Sequence, residues 1–232
     1  MKRSYISIIV LLLGNGWAHM QAANKPKFQP YVKVNNASKI EHIKQFMPHV
    51  ARAMVDNRVL GSAAYGTHMA PLFTAVTHTT GPILELGCGD YSTPLLHALC
   101  SKTHRFLLST DTDKKWLNLF MDLERPWHHF AYVPVYEDDW ERNPKPYLWD
   151  NIGADMRWGV VLVDHRPGER RAVDIKRLKD QADILVVHDA QEAGYNYASI
   201  MNDFRYKYVY KRYSTQTLIL SNVIDVAALF NS

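Results

Sequence analysis

The chain has 232 residues, of which 47% are hydrophobic and 22% charged, a composition typical of a globular protein that buries its own core. Its formal net charge at pH 7 is only +4, and no basic stripe with interleaved aromatic residues occurs, so we expect no nucleic-acid partner. The two cysteines, Cys88 and Cys100, form neither a disulfide framework nor a zinc-ligand spacing.

The N-terminal segment is organised like a secretory signal peptide. Lys2 and Arg3 precede an apolar run at 5–13, and small residues follow as far as Ala23. A positive start, a short apolar core and small residues near a cleavage point are the three parts of such a signal. The core is shorter than the ~20 residues that span a bilayer. We therefore expect residues 1–23 to be a signal peptide, or else an uncleaved anchor.

This segment also determines the expected location of the protein. If residues 1–23 are a targeting signal, the chain enters the secretory pathway and is either exported or held at a membrane through this segment alone. If they are not a signal, the protein is cytoplasmic. Residues 24–37 are polar and contain prolines, which predicts a linker. We expect residues 38–232 to form one domain.

Beyond the linker, the spacing of apolar residues alternates between the helical period and short apolar runs typical of buried strands. The predicted helices are 38–57, 68–77, 92–100, 116–124, 172–180 and 196–204. The predicted strands are 83–86, 105–109, 131–135, 158–163, 184–187, 206–213 and 216–220.

The order of these elements predicts an α/β fold. Alternating strands and helices form a mostly parallel sheet with helices on both faces, here preceded by N-terminal helices. Only a short turn at Ser214 and Thr215 separates the last two strands, too few residues for a crossover helix, so these strands pair as an antiparallel hairpin. The expected sheet has seven strands, with the antiparallel hairpin at its C-terminal end.

A glycine motif follows the first predicted strand. The strand ends in Gly87 and Gly89, and a predicted helix begins at Ser92. Glycines at this point let the backbone approach a ligand closely, and the helix N-terminus presents unpaired N–H groups. A dinucleotide fingerprint would have a third glycine where Ser92 stands. The motif predicts a ligand beyond the carboxyl ends of the strands.

Four acids accompany this motif in chain order. Glu85 lies inside the first apolar strand, where it is costly unless it meets a cation or hydrogen-bond donors; the ammonium of an amino-acid moiety would satisfy it, directly or through water. Asp111 follows the second strand, where an acid accepts both hydroxyls of a ribose. Asp138 and Asp139 follow the third strand, where a carboxylate or backbone group meets an adenine amino group.

With these residues in this order, the stretch 80–222 resembles the class I methyltransferases that use S-adenosylmethionine (SAM). Their motif commonly reads apolar-Glu-apolar-Gly-x-Gly, and the terminal hairpin also fits that family. The resemblance implies that Gly87 and Gly89 lie against the methionine part of SAM and Glu85 near its amino group. It also implies Asp111 on the ribose, with Asp138 or Asp139 beside the adenine.

A second group of polar residues follows the strands 158–163 and 184–187. Asp164 and Asp189 come at the ends of these strands, and the two segments are similar to the strand-exit motifs of catechol O-methyltransferases. That resemblance implies a Mg²⁺ ion held by Asp164 and Asp189, which are oxygen ligands that this cation prefers. Ala190 stands where the family has an asparagine ligand, and Pro167 where it has a catalytic lysine.

A second interpretation of the same segments needs no metal and has a histidine as the general base. In it, His188 or His165 deprotonates an acceptor hydroxyl, and Asp164 or Asp189 orients the imidazole ring. The basic residues that follow either clamp an acidic acceptor or form a solvated helix start; they are Arg166, Arg170 and Arg171. Trp116 flanks the adenine or is simply buried by its helix.

The sequence thus predicts a SAM-dependent methyltransferase that acts on the hydroxyl of a small or saccharide-like acceptor. One alternative is an NAD-dependent dehydrogenase, which Ser92 and the terminal hairpin disfavour. The other is a non-catalytic secreted binding module that kept the methyltransferase fold, an alternative that the signal peptide supports because SAM is a cytosolic metabolite.

Overall fold

A computed structural model describes residues 66–133 and 148–230. Several predictions therefore lie outside the described residues: the signal peptide at 1–23, the linker at 24–37, the helix at 38–57, and the acids Asp138 and Asp139. Within the described ranges, no helix combines the length and the apolar character needed to cross a membrane.

The described elements alternate as the sequence predicts. The α-helices are α1 (Met69–Thr77), α2 (Ser92–Thr103), α3 (Lys114–Leu117), α4 (Arg171–Leu178) and α5 (Val226–Phe230). The strands are β1 (Ile83–Leu86), β2 (Leu107–Asp111), β3 (His128–Tyr132), β4 (Trp158–Val163), β5 (Ala182–Val187), β6 (Tyr206–Tyr210) and β7 (Thr217–Ser221). Short 3-10 helices include Asn118–Leu123, Leu148–Asn151, Gly168–Arg170, Ala193–Tyr195 and Tyr197–Asp203.

The seven strands form a single sheet in the order β3-β2-β1-β4-β5-β7-β6. Strands β1 to β5 pair in parallel, and β7 runs antiparallel to both of its neighbours, β5 and β6. The predicted fold class is confirmed: a mostly parallel seven-stranded sheet closed by an antiparallel C-terminal hairpin, as the resemblance to class I methyltransferases implies.

Both faces of the sheet are covered. Successive side chains of a strand point to opposite faces, so Ile83 packs with α1, α2 and α5 on one face, whereas Leu84 packs with α4 on the other. Every residue of β1 and β4 is buried. Burial on both faces explains why these strands are continuous apolar runs in the sequence.

Several boundaries differ from the prediction, most clearly at α3, at β3 and after Asn196. The helix expected at 116–124 begins earlier, as α3, because the carboxylate of Asp113 caps its first turn at Lys115 and Trp116. It continues as a 3-10 helix at Asn118–Leu123. The helix expected at 196–204 is also 3-10, and it starts after the left-handed Asn196. Strand β3 lies three residues before the predicted 131–135, since its inner end is the buried polar residue His128 and not an apolar one.

Candidate active site

The turn after β1 brings the glycine motif against the exit of β4. Gly87 has a φ of +95°, in the left-handed region that favours glycine. A Cβ on this residue would lie 2.6 Å from the backbone carbonyl of Asp164 and from the amide nitrogen of His165. Gly87 is therefore needed both for its conformation and for the close approach of two strand exits.

The second half of the motif is closed by hydroxyl side chains. The amide of Gly89 donates to Thr93 Oγ1 at 2.9 Å, and the Gly89 carbonyl accepts from the Thr93 amide at 3.0 Å. A Cβ on Gly89 would lie 3.1 Å from Ser92 Oγ. Ser92 and Thr93 are both buried. The turn thus uses small hydroxyl side chains where a dinucleotide fingerprint has its third glycine.

Glu85 lies beneath this turn and is fully buried. Its carboxylate accepts hydrogen bonds from Thr93 Oγ1 at 3.0 Å and from Ser109 Oγ at 2.5 Å. Burial raises the pKa of Glu85 to about 7, against the opposing effect of these hydroxyl donors. In the structure the hydroxyls of Thr93 and Ser109 supply the donors that a buried carboxylate requires. The placement of Glu85 near the amino group of SAM stays a prediction.

The hydrogen bonds continue from Glu85 to the sheet edge. Ser109 Oγ lies 3.0 Å from His128 Nε2, and His128 Nδ1 lies 3.0 Å from His97 Nδ1. Burial, followed by the charge of His97, lowers the pKa of His128 to about 3. The neutral His128 ring thus links the buried carboxyl to the half-buried His97.

Asp111 stands at the end of β2 and ties this strand to the glycine turn. Its Oδ2 accepts from the amide of Cys88 at 2.9 Å, and its Oδ1 accepts from the amide of Asp113 at 2.8 Å. Burial raises its pKa, while these backbone donors act in the opposite direction. Trp116 Nε1 donates to the Cys88 carbonyl at 2.7 Å, so its ring lies beside the same turn, and it is 37% exposed.

The exits of β4 and β5 carry a compact polar cluster. His188 Nδ1 lies 3.2 Å from Asp164 Oδ1 and 3.3 Å from Asp189 Oδ1. Arg171 Nη2 lies 2.9 Å from Asp164 Oδ1, and its Nη1 lies 3.0 Å from Asp189 Oδ2. Asp189 itself adopts a φ of +58°, a strained conformation that is common at functional turns. The structure thus brings together the Asp164, His188 and Asp189 that the sequence places at neighbouring strand exits.

Charge within the cluster shifts the pKa values of its members. Burial lowers the pKa of His188, but the hydrogen bond and charge of Asp164 outweigh it, so that pKa lies above its ordinary value. Burial raises the pKa of Asp164, but His188 and then Arg171 outweigh it, so the carboxyl lies below its ordinary value. Both shifts follow from the attraction between a protonated His188 ring and the Asp164 carboxylate, which makes the neutral ring a stronger base than a free imidazole.

Arg171 is the residue whose environment the sequence predicts least well. It begins α4, is buried, donates from Nε to the His165 carbonyl at 2.8 Å and lies over the Tyr195 ring at 4.8 Å. The expectation of a solvated helix start is wrong for Arg171. One guanidinium pairs with both Asp164 and Asp189, so the structure gives no support to a magnesium ion held between these two carboxylates.

His165 does not join the cluster. Its ring is fully buried, with Nε2 at 3.0 Å from Asp174 Oδ2, and packs edge-on against Trp149 at 5.0 Å. Asp174 also pairs with Arg170 Nε at 3.1 Å, so Arg170 is likewise not a solvated residue. His165 belongs to the core under α4, and the expectation that it serves as a base is corrected.

Two residues that sequence reasoning missed reach the cluster from the segment before α1. Thr67 Oγ1 lies 3.1 Å from His188 Nε2, and the His68 ring packs edge-on against His188 at 4.7 Å. Burial, followed by the charge of His188, lowers the pKa of His68 to about 3. Gly66 faces the ring of Tyr91, where a Cβ would come within 3.0 Å. In the sequence, Thr67 and His68 look only like the polar start of an apolar helix.

Comparisons with known proteins find distant structural similarity alone. No family model matches the chain, and no curated protein matches it. The chain is similar to a methyltransferase from Podospora anserina bound to S-adenosylhomocysteine (SAH), at 13% identity, with 94% of this chain and 97% of that chain covered and a TM-score of 0.48. An O-methyltransferase from Bacillus cereus in complex with SAH shows 10% identity, with 92% and 99% covered and a TM-score of 0.48. A methyltransferase from Geobacter sulfurreducens shows 12% identity, with 90% and 97% covered and a TM-score of 0.43. The strand order of the sheet, and not these similarities, defines the fold.

Proposed function

We propose that the protein is a SAM-dependent methyltransferase. The observation that carries the proposal is the contact between Gly87 and the Asp164 backbone, which joins the glycine turn to the polar cluster at one edge of the sheet. Ligands of open α/β sheets bind at that edge, beyond the carboxyl ends of the strands. A methyl donor bound at the glycine turn and a methyl acceptor bound at the polar cluster then lie next to each other.

The family resemblance and the geometry together indicate how the methyl donor binds. The backbone of Gly87 and Gly89 lies against the methionine part of SAM, and Asp111 accepts hydrogen bonds from the ribose hydroxyls. A carboxylate has about four lone-pair positions, so its bonds to Cys88 and Asp113 leave room for a ligand. Glu85 contributes indirectly: it lies beneath the glycine turn and fixes the hydroxyls of Thr93 and Ser109 by accepting their hydrogen bonds.

The acceptor that we propose is the hydroxyl of a small or saccharide-like molecule. Methyl transfer is an in-line displacement: the acceptor oxygen forms a bond to the methyl carbon as the sulfonium–carbon bond breaks, and the hydroxyl proton must leave. Catalysis is then largely a matter of positioning and proton removal. In the metal-free protein, His188 is the group that takes this proton, and Asp164 and Asp189 stabilise the resulting imidazolium through Nδ1.

The choice of cofactor is the sharpest test against the two alternative functions. Isothermal titration of the full chain with SAM, with SAH and with NAD distinguishes them. We expect SAM and SAH to bind and NAD to show no heat of binding. Binding of NAD alone would indicate the dehydrogenase, and no binding of any of the three would favour the non-catalytic module.

A further inference from the structure

His68 is a buried polar side chain without an explained role. Its residue is 2% exposed, and within the described ranges neither ring nitrogen has a hydrogen-bond partner. Burying a polar group without a partner is costly, and such groups in folded proteins call for a ligand, a water or an ion. His68 is also aimed at the polar cluster, since its ring packs edge-on against His188.

We propose that His68, Asp164 and His188 bind one divalent transition-metal ion of the Zn²⁺ or Co²⁺ type. One ring nitrogen from each histidine and one carboxylate oxygen all lie within 4.8 Å of one another. Ligands about 2.1 Å from a tetrahedral ion lie roughly 3.4 Å apart, so a modest rotation of the side chains completes the site. The ion also supplies the partner that His68 lacks.

The ligand set distinguishes this site from the magnesium site that the sequence suggested. Mg²⁺ prefers oxygen ligands in an octahedron, whereas two imidazoles and one carboxylate suit first-row transition metals. The proposed ion does not use Asp189, and it recruits His68, which comes from a separate element more than 90 residues earlier in the chain than Asp164.

The charges around the cluster permit a cation there. Arg171 is the nearby positive group, and Asp189 balances it through the contact at 3.0 Å. Asp164 then remains as the negative ligand, although Arg171 also lies 2.9 Å from its Oδ1. Thr67 Oγ1 contacts His188 Nε2 and adds no charge.

The consequence for catalysis rests on the proposed function. An ion at the exits of β4 and β5 sits on the acceptor side of the site, where it lowers the pKa of a bound hydroxyl. His188 is then a ligand, and the ion replaces it as the group that makes proton removal possible. Metal binding itself is measured without turnover.

The test uses the full chain after treatment with a chelator and dialysis. Co²⁺ is added while its visible absorption is recorded, and Zn²⁺ is titrated calorimetrically. The variants are His68→Gln, Asp164→Asn, His188→Gln and Asp189→Asn, with His129→Gln, at the far edge of the sheet, as the matched control. Circular dichroism reports folding, and SAM titration of the same samples reports the proposed function separately.

We expect the wild type and the His129 variant to bind one equivalent of the added metal ion. Substitution of His68, Asp164 or His188 should lower the metal affinity by about tenfold or more, and Asp189→Asn should lower it less. If the Asp164 or His188 variant does not fold, the result for His68→Gln decides whether the site exists, because this substitution removes only a ring that makes no hydrogen bond in the described part of the chain. Absence of binding by the wild type, or unchanged binding by His68→Gln, overturns the inference. If metal binds and SAM does not, the proposed function fails and the metal site stands.

Discussion

Gly87 lies so close to the backbone of Asp164 that a single methyl group on it would come within 2.6 Å of the Asp164 carbonyl carbon and oxygen. The contact joins the proposed donor site to the proposed acceptor site. It makes the spacing between the exits of β1 and β4 sensitive to one side chain.

We predict that Gly87→Val abolishes SAM binding while circular dichroism still reports an α/β fold. The side chain adds a steric clash to a positive φ, and such strained backbone costs about 1–3 kcal/mol of the unfolding free energy. Gly194→Ala is the control, because a Cβ there meets nothing within 4 Å. Wild-type SAM affinity in the Gly87 variant would show that the ligand lies elsewhere.

Replacing Asp111 by Ala should weaken SAM binding by about 1–3 kcal/mol, through lost hydrogen bonds from the ribose to a charged acceptor. Asp113→Ala is the comparison in the same turn. It removes the cap of α3 and should cost about 1 kcal/mol of unfolding free energy, with little effect on affinity. Calorimetry and urea unfolding measure the two effects. An equal loss of affinity in both variants would assign the role to the shape of the turn.

Arg171→Gln should lower the unfolding free energy by about 2–4 kcal/mol. The change leaves Asp164 and Asp189 without the buried guanidinium that pairs with both, and removing one partner of a buried ion pair exposes the uncompensated charge of the other. Arg157→Gln breaks an exposed pair with Asp183 and should cost only about 0–1 kcal/mol. Similar costs for the two variants in urea unfolding would contradict a structural role for Arg171.

Glu85 should make the protein less stable as the pH rises from about 4.5 to 7. The pKa of Glu85 is raised to about 7 in the folded chain, from an ordinary value of 4.5, so in this interval the folded state binds more protons than the unfolded state. The unfolding free energy therefore falls with pH in this window, by on the order of 3 kcal/mol, and stays level above it.

Other buried groups act on the same profile, so the difference between two proteins is the useful measurement. His68 and His128, both with a pKa lowered to about 3, make stability rise with pH up to about 6.5. Glu85→Gln should remove the Glu85 contribution alone, and its advantage over the wild type should grow between pH 4.5 and 7. The exposed Glu124→Gln should parallel the wild type. A constant difference between wild type and Glu85→Gln would show that Glu85 does not titrate in this window.

For the N-terminal segment we predict that residues 1–23 direct the chain to a membrane, as a cleaved signal peptide or as an uncleaved anchor. N-terminal sequencing of the protein from its native cells distinguishes the two, because a start near Ala23 or Asn24 indicates a cleaved signal and export. An intact Met1 on protein in the soluble cytosolic fraction would exclude export and leave the cytoplasmic alternative.

The sequence by itself determined the fold class and the order of the site's parts. Continuous apolar runs such as β4 predict strands buried on both faces, and a short turn before the last strand forces a hairpin. Because parallel strands end at one edge of a sheet, the positions of Gly87, Asp111, Asp164 and Asp189 at strand ends were enough to place them on that edge.

Only the tertiary structure decided what each side chain meets. His165 directly follows Asp164 in the chain, yet its ring is buried beside Asp174 on the far side of the strand exit. His68 and Thr67 reach the cluster from a separate element, and Thr67 lies 121 positions before His188 in the chain. Arg171 could be assigned to its two carboxylates only once α4 was placed against β4 and β5. Local spacing carries the period of a helix or strand, whereas burial and charge pairing depend on contacts between distant segments, which no local pattern encodes.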